Sequence, residues 1–137
     1  PGLHSLTHCA VSNRLLSKRT LNLRAALDAG ASVNIGTDGL SSNMSLNFLD
    51  ELRANLLIHA DFDPLELAKI LLLASTKNAA SALNLEAGEI KTGKLADLAL
   101  YGGFADADAA QLPLMLILHA KGCERLFVGG AEVNLND

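Results

Sequence analysis

Residues 31–43, ASVNIGTDGLSSN, set the terms on which the rest of the chain can fold. Val33 and Ile35 are β-branched and lie between Gly30 and Gly36, the composition of a short buried strand. That strand delivers one carboxylate, Asp38, to a glycine-flanked turn, and a polar loop follows. In barrels of parallel strands chemistry collects at the C-terminal rim, so a lone acid there is a candidate for function. The plain alternative is an Asp-Gly turn in which Gly39 accepts a positive φ. The segments on either side bear on the choice.

Upstream, residues 3–9 read as a second short strand that ends in polar Thr7, His8 and Cys9, with Ser12 and Asn13 just beyond. A lone histidine at a strand end ordinarily serves a structural hydrogen bond. Residues 14–20 are basic and irregular, which predicts a loop. Residues 21–29 place Leu23, Ala26 and Leu27 on one helical face, and Gly30 is a C-terminal stop. The order strand, loop, helix, strand is a βαβ unit, with parallel pairing and a right-handed crossover.

Downstream, Ser45 is placed to cap a helix running to about residue 60. Leu49, Leu52 and Leu56 form its stripe, and Asp50, Glu51, Arg53 and Asn55 lie mostly off it. Asp63-Pro64 is a strong second helix start, with Asp63 at the N-cap and Pro64 at N1. The helix through Ala74 is apolar nearly all round and predicts burial. Thr76 then caps a short helix over 77–83. From Glu86 the glycines at 88, 93, 102 and 103 punctuate short alternating segments that read as β structure. Residues 112–120 form a short helix, and RLFV-GG-AEV over 125–133 reads as a hairpin. The expected boundary lies near residue 85, between a helix-rich part (1–85) and a small β part (86–137).

Charge and length narrow the class. A chain of 137 residues, 50% hydrophobic and with net charge −4, is the profile of one soluble globular unit. Mild acidity without a basic cluster argues against nucleic acid or an anionic membrane surface as partner. Uninterrupted apolar runs, such as residues 70–74, are far below a membrane span. Cys9 and Cys123 form no CxxC, which fits free thiols in a reduced, cytoplasmic setting. The chain opens at Pro1 without a signal-type segment and reads as the tail of something longer.

Four stretches, in order, carry a resemblance. HCAVSNRLL, NIGTDGLSSNMSLNFLDELRANLL, STKNAASALNL and GEIKTGKLADLALY resemble the metal-dependent amidohydrolase superfamily, in its branch of deaminases and chlorohydrolase-like enzymes. The first is similar to that family's strand-seven stretch, with Ala10 where a proline is usual. The second is similar to strand eight, its loop and the next helix. The resemblance implies an α/β fold, the C-terminal portion of a (β/α)8 barrel plus part of a small composite β domain. It also implies a divalent metal, zinc or else iron, at the rim. Asp38 matches the strand-eight Asp that binds the metal and takes a proton from the attacking water. His8, Ser41 and Asn43 are its implied substrate contacts. Within the branch the resemblance is closest to enzymes of adenosine-derived nucleosides, such as aminodeoxyfutalosine, adenosylhomocysteine or methylthioadenosine. The substrate is a small molecule, and hydrolysis of another ring, as in chlorohydrolases, is the alternative.

The departures matter as much. His4, His8, His59 and His119 supply no HxH, and the family's HxxE-type segment is missing. A complete barrel takes ~250 residues. The expectation is therefore an N-terminal part of the same enzyme as partner, with this chain inactive alone. A barrel piece leaves sheet edges uncovered, which also predicts a partner piece or a homo-oligomer. The competing reading is a non-catalytic α/β module that binds a partner.

Overall fold

In the computed structural model, which describes residues 4–104 and 106–135, the two expected short strands lie side by side. β1 (Ser5–His8) and β2 (Ser32–Ile35) pair in parallel, with Ser5 opposite Ser32 and His8 opposite Ile35. Leu3, where the first strand was expected to begin, lies outside the described residues. A parallel pair needs a crossover, and α1 (Ala10–Ser17) and α2 (Leu23–Asp28) make up the connection. β2 is sealed on both faces: Val33, Asn34 and Ile35 are all buried. The buried amide of Asn34 donates to Ser5 Oγ at 2.6 Å, and Asn78 donates to the Val33 carbonyl at 2.9 Å.

Helix α1 corrects the loop expected over 14–20, because residues 14–17 belong to it. Cys9 precedes the helix without a side-chain capping bond, and no acid lies in its first turn. Its cap is remote. The Val11 N–H donates to Glu51 Oε1 at 3.2 Å. Lys18, at φ 57°, ends the helix. A helix capped by a side chain forty residues away carries no local start signal.

Helix α3 (Phe48–Ile58) starts later than expected, because Asn47 rather than Ser45 accepts from its first turn. Leu49 and Leu52 are buried as the stripe predicts, but Glu51 and Asn55 are buried too, at 1% and 0% exposure. Helix α4 (Pro64–Ser75) begins as read, with Asp63 Oδ1 accepting from the Leu65 and Glu66 N–H groups at 3.0 Å each. Leu67, Ala68, Leu71 and Ala74 enter the core, whereas Leu73 stays exposed, so burial is less complete than the apolar sequence predicts. In α5 (Lys77–Ala82) the expected Thr76 cap is absent, since its hydroxyl donates back to the Leu72 carbonyl at 2.7 Å.

Within the glycine-punctuated stretch 86–103, the expected β structure is confined to β3 (Leu98–Leu100). Residues 86–97 form turns, with Gly88 at φ 81° and Gly93 at φ 89°, and glycine-set turns interrupt the ladder that alternation alone would predict. β3 joins β4 (Arg125–Val128) and β5 (Ala131–Val133) in an antiparallel sheet of order β3-β4-β5. The hairpin turn is the expected Gly129-Gly130, both at positive φ as a type I′ turn requires. Between β3 and β4 in sequence, α6 (Leu112–His119) packs on α4 and α3, and Ile117 joins Leu52, Leu67 and Leu71 in one core. Cys9 and Cys123 are free thiols. No helix among the described residues is long and apolar enough to cross a membrane.

Arg53 fastens α6 to α3. Its Nε donates to the Ile117 carbonyl at 2.8 Å and its Nη2 to the Ala120 carbonyl, satisfying acceptors at the helix C-terminus. Its ion pair with Asp50 is partly solvated and contributes little. Arg53→Met keeps the stem and removes the donors, so urea denaturation should show a loss of roughly 1–3 kcal/mol, with Asp50→Asn costing well under half of that. An unchanged midpoint in Arg53→Met would contradict this role.

Candidate active site

The ends of β1 and β2 converge on Asp38. The ladder continues one step past the strands, because the Gly36 N–H donates to the His8 carbonyl at 3.1 Å. A Cβ at Gly36 would stand 3.1 Å from Thr7 Cγ2 and 3.2 Å from Cys9 Sγ, so the close approach leaves little room for a side chain. Two residues on, Asp38 itself takes the left-handed conformation, at φ 60°, which the sequence assigned to Gly39. Asp and Asn adopt this region more readily than other residues with a Cβ. The side chain is exposed.

Two hydroxyls hold that carboxylate. Asp38 Oδ2 accepts from Ser12 Oγ at 2.6 Å and from Ser42 Oγ at 2.9 Å, and the hydroxyls lie 2.9 Å from each other. Two hydroxyl protons cannot serve all three contacts at once, so at most two edges of the triangle carry one. The Ser12 bond first, and the Ser42 bond next, keep the Asp38 carboxyl below the usual carboxylate range. The result is an exposed, ionised acid with a fixed direction. Cys9, nearby, is driven the other way: burial, then the charges of Asp38 and Glu51, push its thiol up and keep it protonated.

The expected substrate contacts separate. Ser41 is exposed on the loop after Asp38. Asn43 is buried, its Nδ2 donating to the Thr37 carbonyl and to Glu51 Oε2, each at 2.8 Å, and its Oδ1 accepting from the Ser45 N–H at 3.3 Å. His8 is fully buried, with Nε2 at 3.0 Å from His59 Nε2 and Nδ1 at 3.4 Å from Asn13 Nδ2. The polar atoms of both thus have partners inside the protein. Ser12 and Ser42 bond Asp38, while Glu51 and His59 are the partners of Asn43 and His8. Ser12 and Ser42 stood in polar clusters that the sequence displays. Glu51 and His59 are placed by α3 and its C-cap, where buried polar residues recur every fourth position: 51, 55 and 59.

One oxygen donor held ionised fits a divalent cation as a single ligand. Among the described residues no group of three or more His, Cys, Asp or Glu converges to hold a metal. A complete coordination set would need ligands from beyond them.

The buried histidine pair makes stability pH-dependent. Burial, then the proximity of His59, lowers His8 to about 4, and burial lowers His59. Both rings are neutral in the folded state, while the unfolded chain takes up protons below about pH 6.5. The folded state thus binds fewer protons, so stability rises with pH across that window and is lost as pH falls from 6.5 towards 4. Thermal melts of the protein carrying this chain should show Tm falling over that window, with a shallower fall in His59→Gln. Equal slopes would contradict the contribution of buried His59 to this pH dependence.

Comparison with known proteins gives this geometry a context. The chain matches the Amidohydrolase family over residues 2–133. The adenosine deaminase of Helicobacter pylori is 51% identical over 128 residues, which are 93% of this chain and 31% of the relative. The crystal structure of Helicobacter pylori aminofutalosine deaminase in complex with methylthio-coformycin matches with a TM-score of 0.90. Identity there is 52%, over 94% of this chain and 31% of that one. An atrazine chlorohydrolase from Arthrobacter aurescens TC1, complexed with zinc, matches at TM-score 0.79 and 27% identity, over 93% of this chain and 30% of that one. The chain therefore spans about a third of the length of these relatives. With the match running from residue 2 to residue 133, and so through both sheets and every helix described above, this chain belongs to the amidohydrolase family.

Proposed function

We propose that the protein carrying this chain is a metal-dependent deaminase of an adenosine-derived nucleoside such as aminodeoxyfutalosine, with Asp38 as metal ligand and proton acceptor. The observation that carries this reading is the exposed Asp38 carboxylate, kept ionised at the C-terminal end of a parallel strand by Ser12 and Ser42. The similarity to adenosine and aminofutalosine deaminases supports the reaction class, and the more distant chlorohydrolase makes hydrolysis of another ring the second reading. Zinc is the metal we favour, as in that chlorohydrolase.

A divalent metal, when bound, lowers the pKa of water at its site to near neutrality. Asp38 takes the proton as the water oxygen attacks the ring carbon that bears the amino group. The proton held by Asp38 passes to the amino group, which leaves as ammonia, and the second water proton ends on the ring nitrogen, so the ring keeps the oxygen as a carbonyl. Ser12 and Ser42 stabilise the ionised form of Asp38 before the attack, and they fix its direction. Ser41, exposed on the loop after Asp38, is a proposed substrate contact, as are His8 and Asn43 on the family resemblance.

We read residues 1–85 as the last βα units of a (β/α)8 barrel and residues 86–137 as part of a composite β domain. The parallel β1-β2 pair with helices between its strands supports the first part, and the antiparallel β3-β4-β5 sheet supports the second. Leu6, on the thinly covered β1, is 39% exposed, as a strand awaiting the remainder of a barrel would be.

Asp38→Asn separates a turn from a reactive acid. Asn tolerates φ 60° as well as Asp and still accepts from both serines, so the shape should survive. In the full-length protein, assayed with aminated nucleosides, turnover should fall by roughly 10²–10⁴, and zinc content should fall with it. Full activity with metal retained would refute the assignment.

A further inference from the structure

We infer that Glu51 is a positioning residue for Asp38, tying to α3 both of the segments whose serines hold that carboxylate. This rests on the reading of Asp38 as the reacting acid. Glu51 is 1% exposed and lies in the middle of α3, so it is out of reach of a substrate. Its oxygens accept from three donors: the Val11 N–H at 3.2 Å and Asn55 Nδ2 at 3.5 Å on Oε1, and Asn43 Nδ2 at 2.8 Å on Oε2.

Two of these donors stand one residue from a serine on Asp38. Val11 precedes Ser12, and Asn43 follows Ser42. The same Asn43 nitrogen also reaches the carbonyl of Thr37, the residue before Asp38. One buried side chain thereby fixes the start of α1, the loop after Asp38 and the backbone entering it. Burying an acid costs far more than burying an apolar side chain of similar size. Packing alone would be served by leucine, as it is at Leu49 and Leu52 on the same helix. A carboxylate is the group that accepts on both oxygens at once, which is what two separate segments require.

Glu51→Gln divides the two arms. The amide oxygen can still accept from Val11, but the amide nitrogen meets Asn43 Nδ2, donor against donor, and the loop arm is lost. In the full-length, metal-loaded enzyme acting on an aminated nucleoside, we expect kcat to fall roughly 10–100-fold with KM changed by less than about threefold. Amide exchange over residues 37–43, followed in the metal-free protein by mass spectrometry, should quicken. In an Asp38→Asn background the kcat penalty should largely disappear, because the two residues act as one unit. A kcat within about twofold of the parent, a change confined to KM, or an undiminished penalty in the Asp38→Asn background would overturn the proposal. Should Glu51→Gln fail to fold, Asn43→Ser cuts the same arm from the loop side and is read by the same outcomes. Full activity in Asp38→Asn alone refutes the reading of Asp38. In that event unchanged exchange over 37–43 overturns the positioning role of Glu51, and quickened exchange upholds it.

Discussion

Because β1 and β2 run side by side in one direction, they end at the same edge, and whatever follows each strand meets there. After β1 comes α1 with Ser12, and after β2 comes the turn with Asp38 and the loop with Ser42. Residues separated by 26 and 30 positions thus share one small hydrogen-bonded triangle. An antiparallel pair would send these segments to opposite ends of the sheet. The parallel ladder is therefore the precondition of the candidate site, and the remaining elements act to keep its edge in order. Gly36 allows close approach at that edge, and α5 holds the β2 backbone through Asn78 and the Val33 carbonyl.

The support beneath the edge is polar, which is costly inside a protein unless its groups are matched, and among the described residues only Asn55 Oδ1 is a buried polar side-chain atom without a hydrogen-bond partner. Helix α3 supplies it. Its buried Glu51, Asn55 and His59 fall on one face at intervals of four, beside the apolar stripe of Leu49, Leu52 and Leu56. Glu51 serves α1 and the loop, Asn55 donates to the backbone and side chain of Glu51, and His59 pairs with His8 at the end of β1. An apolar surface in that position would pack as well but would give the strand ends no direction. The polar face thus links the helix to the orientation of Asp38, and through it to the proposed chemistry.

Features whose cause is local were legible in the sequence. The β-branched pair Val33 and Ile35, the Asp63-Pro64 helix start and the Gly129-Gly130 turn each carry their determinant within a few residues. Asp38 stood out for the same reason, being the one acid at a strand end in a glycine-flanked turn. Features with distant causes were not legible. Helix α1 is hidden because its cap is Glu51, and Glu51 itself is an ordinary surface glutamate when read on the α3 stripe alone. The repeat of Glu51, Asn55 and His59 every fourth position is a signal that periodicity could have supplied. The internal partners of His8 and Asn43, His59 and Glu51, were not legible either, because composition cannot say which way a polar group turns. The β reading of residues 86–97 failed where two glycines at positive φ close turns instead of continuing a ladder.

The central claim is that Asp38 is presented, ionised and aimed, to a metal. A crystal structure of the full-length protein with zinc, using anomalous scattering to place the metal, tests it most directly. The account predicts an Asp38 carboxylate oxygen at about 2.0–2.2 Å from zinc, with Ser12 and Ser42 still bonded to the same side chain. Zinc held by other residues, with the Asp38 carboxylate outside its coordination sphere, would contradict the account.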